Sequence, residues 1–306
     1  MPKMPKMPNG PDVPPESMEA PVRPMLRPVV GRMDASLQAR AAQARLAYAR
    51  DGVCLFPEAV LDPDVVARAV DGMDALCRGE YETGVAPQPS PWKPGDDPAK
   101  LVKIEMPQVA NRALFEVVAH PRLGEVAAAV TGAARVQVWW VQMLIKPSAP
   151  PGGGASPHVG WHQDRQYWRQ WEEGSELFTA WVALSDVTPE AGPVMHVRGS
   201  QRWGLLGQGD FFAADYHLQR QHIPVPAGEV WEEVAGVLQP GGLSLHDQFT
   251  LHGSGSNRSG APRRSLAIHL RTERSRPIGD RREGLTAFLD DPAYCPVIFG
   301  AGSAAR

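Results

Sequence analysis

After Gly132 the chain changes texture. RVQVWWVQMLIKP (135–147), LFTAWVALSDVTP (177–189), GGLSLHDQFTLHGS (241–254) and RRSLAIHLRTE (263–273) are rich in β-branched and aromatic residues, and Gly/Pro turns separate them. Such residues fit a pleated, buried surface. No regular helices intervene, so an antiparallel sandwich or barrel is expected.

Helices come first. DASLQARAAQARLAYARDG from Asp34 is Ala-, Gln- and Arg-rich, with Asp34 or Ser36 as cap and Gly52 as stop. VCLFPEAV reads as a short buried strand. LDPDVVARAVDGMDALCRG places Asp62 at an N-cap and Pro63 at the first helical position. Residues 83–98 read as a Pro/Gly loop, and NRALFEVVAHPRLGEVAAAVTG as two short helices broken at Pro121. The chain thus reads as one α+β domain over residues 31–306, preceded by a proline-dense tail (1–30) expected to be disordered.

Composition narrows the function classes. A net charge of −3 offers no basic excess for nucleic acid. No apolar run approaches the roughly 20 residues of a bilayer span, and no apolar signal core opens the chain. Three scattered cysteines (Cys54, Cys77, Cys295) argue against a disulfide framework and place the protein in the cytoplasm. With no paired cysteine spacing, any metal must bind through histidine and carboxylate. The expected partner is a small molecule, with no nucleic acid and no membrane, and the expected state a monomer or homodimer.

GWHQDRQYW (160–168) is the densest chemical stretch. On extended backbone His162 and Asp164 share a face, while Gln163 points to the other. Two ligands hold a metal poorly, and a 2-His-1-carboxylate set needs one more imidazole. His246 and His252 in LHDQFTLHGSGSN are both candidates, six residues apart and able to face inward together on a regular strand. Arg263 and Arg264 follow, each offering the donor fork that matches a carboxylate. Tyr167 and Trp168 follow the H-x-D pair closely and point to a substrate wall. Trp161 and Trp171 are equally core or wall, and at most one of the adjacent Trp139 and Trp140 faces the interior. Arg165 and Arg169 read as a solvated face or an anion clamp. The loop 147–157 around His158 reads as a lid, and His196, His217, His222 and His269 as structural.

Together QMLIKP (142–147), WHQD (161–164), TAWVAL (179–184), HGSGSN (252–257) and RRSLAIHL (263–270) resemble the phytanoyl-CoA dioxygenase family of Fe(II)- and 2-oxoglutarate-dependent oxygenases. The order and approximate spacing match from about residue 45 to a closing CPVIFG (295–300). The resemblance implies a double-stranded β-helix (jelly-roll, cupin-like) core with N-terminal flanking helices. It implies Fe(II), 2-oxoglutarate and O2, with His162, Asp164 and His252 as catalytic metal ligands. It implies Arg263 and Ser254 at the distal carboxylate of 2-oxoglutarate, Trp181 lining that pocket, and Lys103 and Met143 on the same side. Gln163, Tyr167 and Trp168 are expected on the substrate side. Many relatives read PGSH where this chain reads RGSQ (198–201), a loop expected to border the substrate. Related halogenases carry Gly or Ala at the position of Asp164, so the carboxylate favours hydroxylation. The implied activity is hydroxylation of an unactivated C–H of a small metabolite in specialised biosynthesis. Epoxidation, desaturation, epimerisation or a non-catalytic metal-binding barrel are the alternatives.

Overall fold

Asp34 starts α1 (Ala35–Asp51) by accepting a hydrogen bond from the Leu37 amide at 2.7 Å, and Gly52, at φ 74°, turns the chain out of it. That left-handed conformation suits glycine, which has no Cβ to clash. The computed structural model describes residues 33–150, 156–213, 215–280 and 282–300, so the tail 1–30 lies outside the described residues. The turn at Gly52 leads directly into β1 (Val53–Phe56). α2 (Pro63–Cys77) begins at the expected proline, but Asp62 makes no capping bond; its carboxylate accepts from Arg122 at 2.8 Å instead. β2 (Val102–Glu105) follows the loop, and α3 (Arg112–Val118) and α4 (Pro121–Thr131) divide at His120, whose ring caps α4. Among the described residues no helix is long and apolar enough to cross a membrane.

The β-rich body comprises β3 (Val136–Lys146), β4 (Val159–His162), β5 (Leu177–Ala183), β6 (Met195–Val197), α5 (Tyr216–His222), β7 (Glu233–Ala235), β8 (Leu243–Asp247), β9 (His252–Ser254), β10 (Arg263–Thr272) and β11 (Val297–Phe299). The larger sheet runs β1-β8-β5-β10-β3-β11, with β2 also on β3, and the smaller runs β4-β9-β6-β7. All these pairs are antiparallel. This is the α+β, jelly-roll arrangement, with the helices ahead of it in the chain.

One face of the larger sheet packs on the helices, burying Leu37, Met73, Leu114 and Leu123 with Val141, Met143 and Leu266. The other face meets the smaller sheet through Leu144, Trp181, Ala267 and Val159. Burial on both sides explains why β5 is apolar almost throughout: all seven of its residues are buried.

Segment 241–254 is not one strand. β8 belongs to the larger sheet and β9 to the smaller, so the six-residue spacing of His246 and His252 does not place them on one strand face. Asp247 breaks the strand: its carboxylate accepts from the Phe249 amide at 2.8 Å and its carbonyl from Thr250 at 2.9 Å. An aspartate that bonds its own backbone competes with the ladder in this way.

The segment after β6 lies along β4 through Gly160 N–H to Phe211 O and Asp210 N–H to Trp161 O, both 3.0 Å. A Cβ on Gly160 would come within 2.1 Å of the Asp210 carbonyl. Gly160→Ala is therefore expected to push this segment off β4 and destabilise the fold by about 1–3 kcal/mol. Urea unfolding measures it, and an unchanged midpoint would show that the segment yields without cost.

Candidate metal and cosubstrate site

β4 and β9 pair so that His162 and His252 are directly opposed. Opposed residues on antiparallel strands present side chains on one face at close range, and here the imidazole centroids are 4.2 Å apart. Beyond His162 the chain stays extended through Gln163 and then turns at Asp164–Gln166. The turn brings the Asp164 carboxylate back over the two rings. Its Oδ1 lies 3.8 Å from His162 Nε2 and 3.8 Å from His252 Nε2. One donor atom from each of the three lies within 4.8 Å of the others. Donors that each sit about 2.1 Å from a shared ion are necessarily this close together.

Hydrogen bonding prepares these donors. His162 Nδ1 lies 2.8 Å from Gly160 O, and His252 Nδ1 lies 2.9 Å from Thr250 O. A carbonyl only accepts, so each Nδ1 carries the proton and each Nε2 turns a lone pair toward Asp164. Burial pushes both imidazoles below their ordinary pKa. Burial also works against ionisation of Asp164, but His252, His246 and His269 outweigh it and hold the carboxyl well below the usual range. Two neutral imidazoles and one carboxylate fit Fe(II), and a three-ligand set leaves positions for a chelating keto acid and O2.

A narrow cavity between the sheets is lined by these three side chains and by Arg263. Trp181, Ser254, Leu144 and Val194 also line it. Arg263 is only 2% exposed. It donates to Gly192 O, and its guanidinium lies 5.0 Å from the centre of the Trp181 ring. Burial lowers its pKa to about 9. Among the described residues no carboxylate pairs with it. Arg264 faces the opposite way and bonds Asp74 of α2 at 3.0 Å. Lys146, opposite Arg263 on β3, was not anticipated. It is wholly buried and donates to the Ser254 hydroxyl, to Ser254 O at 3.1 Å and to Gly255 O at 2.6 Å. Ser254 is thus gripped from behind, its own hydroxyl proton free for the cavity.

Several expected site residues stand elsewhere. Met143 packs against the helix layer, because alternation on β3 turns Gln142 and Leu144 inward. Lys103 does not line the cavity itself: it lies 3.0 Å from the Glu105 carboxylate and 4.7 Å from the centre of the Phe211 ring, which does. Gln163 is buried, and its amide donates to Gly204 O and Phe249 O and accepts from Leu206 N, tying two loops. Trp168 is core, edge-on to Trp139 at 4.8 Å, and Trp171 joins them. The turn through Asp164 swings Trp168 under the site, whereas Tyr167 stays 41% exposed with its ring 6.0 Å from His162. Trp161 stacks on Tyr216 outside the cavity. Arg165 bonds the carbonyls of Trp168 and Trp171. RGSQ (198–201) packs on the end of α1 rather than on the cavity, through Gly199 N–H to Asp51 O and Gln201 to Arg50 O. Of the lid, residues 151–155 lie outside the described residues.

Sequence reasoning missed Thr179 and His269 as site residues and weighed His246 only as an alternative to His252; all three line the cavity. Counting by twos from Trp181 and from Arg263 reaches Thr179 and His269, a signal present in the strands. His246 comes from β8 of the same sheet, directly opposite Thr179 on β5, a pairing that no spacing in the sequence reveals.

A family model for phytanoyl-CoA dioxygenase (PhyH) matches residues 48–265. The chain belongs to the phytanoyl-CoA dioxygenase family. Its chemistry is that of an oxygenase using iron and 2-oxoglutarate. Ectoine dioxygenase of Bordetella parapertussis is 27% identical over 231 residues, covering 72% of this chain and 71% of that protein. Ectoine dioxygenase of Sphingopyxis alaskensis is 27% identical over 311 residues, 90% of this chain and 92% of that one. Among solved structures, the epimerase SnoN in complex with Fe3+, alpha ketoglutarate and nogalamycin RO has a TM-score of 0.61 at 23% identity, covering 88% of this chain and 93% of that one. That last likeness is one of fold.

Four buried imidazoles, those of His162, His196, His252 and His269, have pKa values lowered by burial, His269 to about 4. The unfolded chain therefore binds more protons below about pH 6.5. The lowered Asp164 acts in the same direction; Asp247, raised to about 6, acts in the opposite one. Stability is expected to be intact above pH 6.5 and to fall toward pH 4, by roughly 1.4 kcal/mol per histidine per pH unit. Urea unfolding of metal-free protein at pH 7 and pH 5 checks this; equal midpoints would show that the cluster titrates freely.

Proposed function

We propose that the protein hydroxylates an unactivated C–H bond of a small organic metabolite, with iron held by His162, Asp164 and His252 and 2-oxoglutarate anchored at Arg263. The observation that carries this reading is the pairing of a metal-competent triad with a buried, carboxylate-free guanidinium at the other end of one cavity. A buried cation lacking a counter-charge is costly. The distal carboxylate of a keto acid would meet that need, with its other end toward the triad along the same cavity.

Each residue has a physical task. Arg263 offers a donor fork to the carboxylate, Trp181 stacks against the fork, and the Ser254 hydroxyl adds a third donor. Iron and 2-oxoglutarate, when bound, supply the oxidising power for C–H cleavage. Phe211 and Val159 make the walls apolar beside His162, which excludes water and favours an apolar portion of substrate. Asp164 fills with a carboxylate the coordination position that halogenation leaves to halide. The small-molecule substrates named for the ectoine dioxygenases and for SnoN favour tailoring of a specialised metabolite here. SnoN also makes epimerisation the second reading.

Succinate formation from 2-oxoglutarate, dependent on added iron and stimulated by one compound of a metabolite panel, is the expected result. Under 18O2 the hydroxylated product carries the label. A product epimer without label would establish the second reading, and no succinate with any compound would leave a binding protein. Arg263→Ala is expected to raise KM for 2-oxoglutarate about 10–100-fold, the loss of a charge-assisted pair. Arg264→Ala should leave that KM within about twofold. The reverse pattern would move the anchor to Arg264.

A further inference from the structure

The two oxygens of Asp164 have different surroundings. Oδ1 faces His162 and His252, whereas Oδ2 lies 2.7 Å from Thr179 Oγ1 and 3.3 Å from His246 Nε2. The Thr179 hydroxyl also lies 2.8 Å from His269 Nδ1. The proton positions follow from these contacts. An ionised carboxylate only accepts, so Thr179 donates to Oδ2. His269 Nδ1–H must then donate to the Thr179 oxygen, and His246 Nε2–H donates to Oδ2. Thr179, His246 and His269 are all at most 4% exposed. Thr179 sits directly between His246 and His269 in the larger sheet, where the β5–β8 and β5–β10 registers pair it with both. Three adjacent strands thus aim one hydrogen-bonded chain at a single oxygen.

We propose that Thr179, His246 and His269 are positioning residues that hold Asp164 as a one-oxygen ligand. A free carboxylate can turn both oxygens to a metal and so occupy a further coordination position. With Oδ2 engaged by two donors, only Oδ1 is offered, and that position stays available to the keto acid. The donors also restrict rotation of the carboxylate, which has no other hydrogen-bond partner among the described residues. The His269 Nδ1–H donated to Thr179 locks the hydroxyl proton of Thr179 in the direction of Asp164. This proposal rests on the reading of His162, Asp164 and His252 as the metal site.

Thr179→Val keeps the side-chain shape and removes the donor; Thr179→Ser restores it. Co(II) affinity is measured first without keto acid, and 2-oxoglutarate affinity is then measured on the Co(II)-loaded protein. Thr179→Val is expected to bind Co(II) as tightly as the unaltered protein or a few-fold more tightly. It is expected to bind 2-oxoglutarate about 10-fold more weakly, with an altered visible Co(II) spectrum, within the range seen when a ligand loses its supporting bond. Thr179→Ser should restore both. If Thr179→Val fails to fold, His246→Phe removes the other donor and is read in the same way. Loss of Co(II) and 2-oxoglutarate affinity in equal proportion, or no change in either, overturns the proposal. If the unaltered protein binds no Co(II), the metal-site reading itself fails, a result distinct from an unaltered protein that binds both and a variant that matches it.

Discussion

The site depends on one cross-strand pair. His162 on β4 stands opposite His252 on β9, residues ninety positions apart in the chain brought into register by the smaller sheet. That register sets the two imidazoles on one face, and the turn after Gln163 adds Asp164 to them. A slip of one residue in this pairing would send one ring to the other face. The sheet is short, and its alignment is reinforced from outside. Gln163 ties the loop before α5 to the turn before β9, and Ser200 accepts from the Leu251 amide at 2.8 Å. Residues that look like chemistry in the sequence are thus partly the fixtures that keep the register.

The larger sheet contributes the opposite wall and works on both of its faces. Its helix-facing side is an ordinary apolar core. Its cavity side alternates polar groups whose neighbours are already set: Thr179 between His246 and His269, and Arg263 beside Lys146. Burial and the neighbouring Arg263 guanidinium together hold Lys146 well below its ordinary pKa. Lys146 answers this with three oxygen acceptors, whereas Arg263 keeps its Nε without a hydrogen-bond partner. The difference separates a cation that builds the wall from one that faces the cavity.

Legibility differed by element. The helix starts at Asp34, Pro63 and Pro121 were readable because capping and proline chemistry act over a few residues. The long strands were readable from side-chain type. The shared cavity face of Trp181 with Thr179, and of Arg263 with His269, lay within reach of period-two counting. Trp168 lies in the core because the three-residue turn at Asp164 swings it under the site, and Gln163 is taken up by the two loops it ties; neither contact is visible in the sequence. The break between His246 and His252 was equally hidden, since Asp247 reads as an ordinary strand residue until its carboxylate is seen to bond the next turn.

By itself the sequence determined the leading helices, the long strands, the antiparallel class and a short list of metal donors, since propensity, capping and residue chemistry are local properties. Only the tertiary structure decided that β8 and β9 part into different sheets, that Arg263 turns inward while Arg264 meets Asp74, and that three strands converge on one oxygen of Asp164. Those outcomes turn on which strands pair and in which register. Pairing is set by burial summed over the whole fold, and no single segment of the chain contains that information.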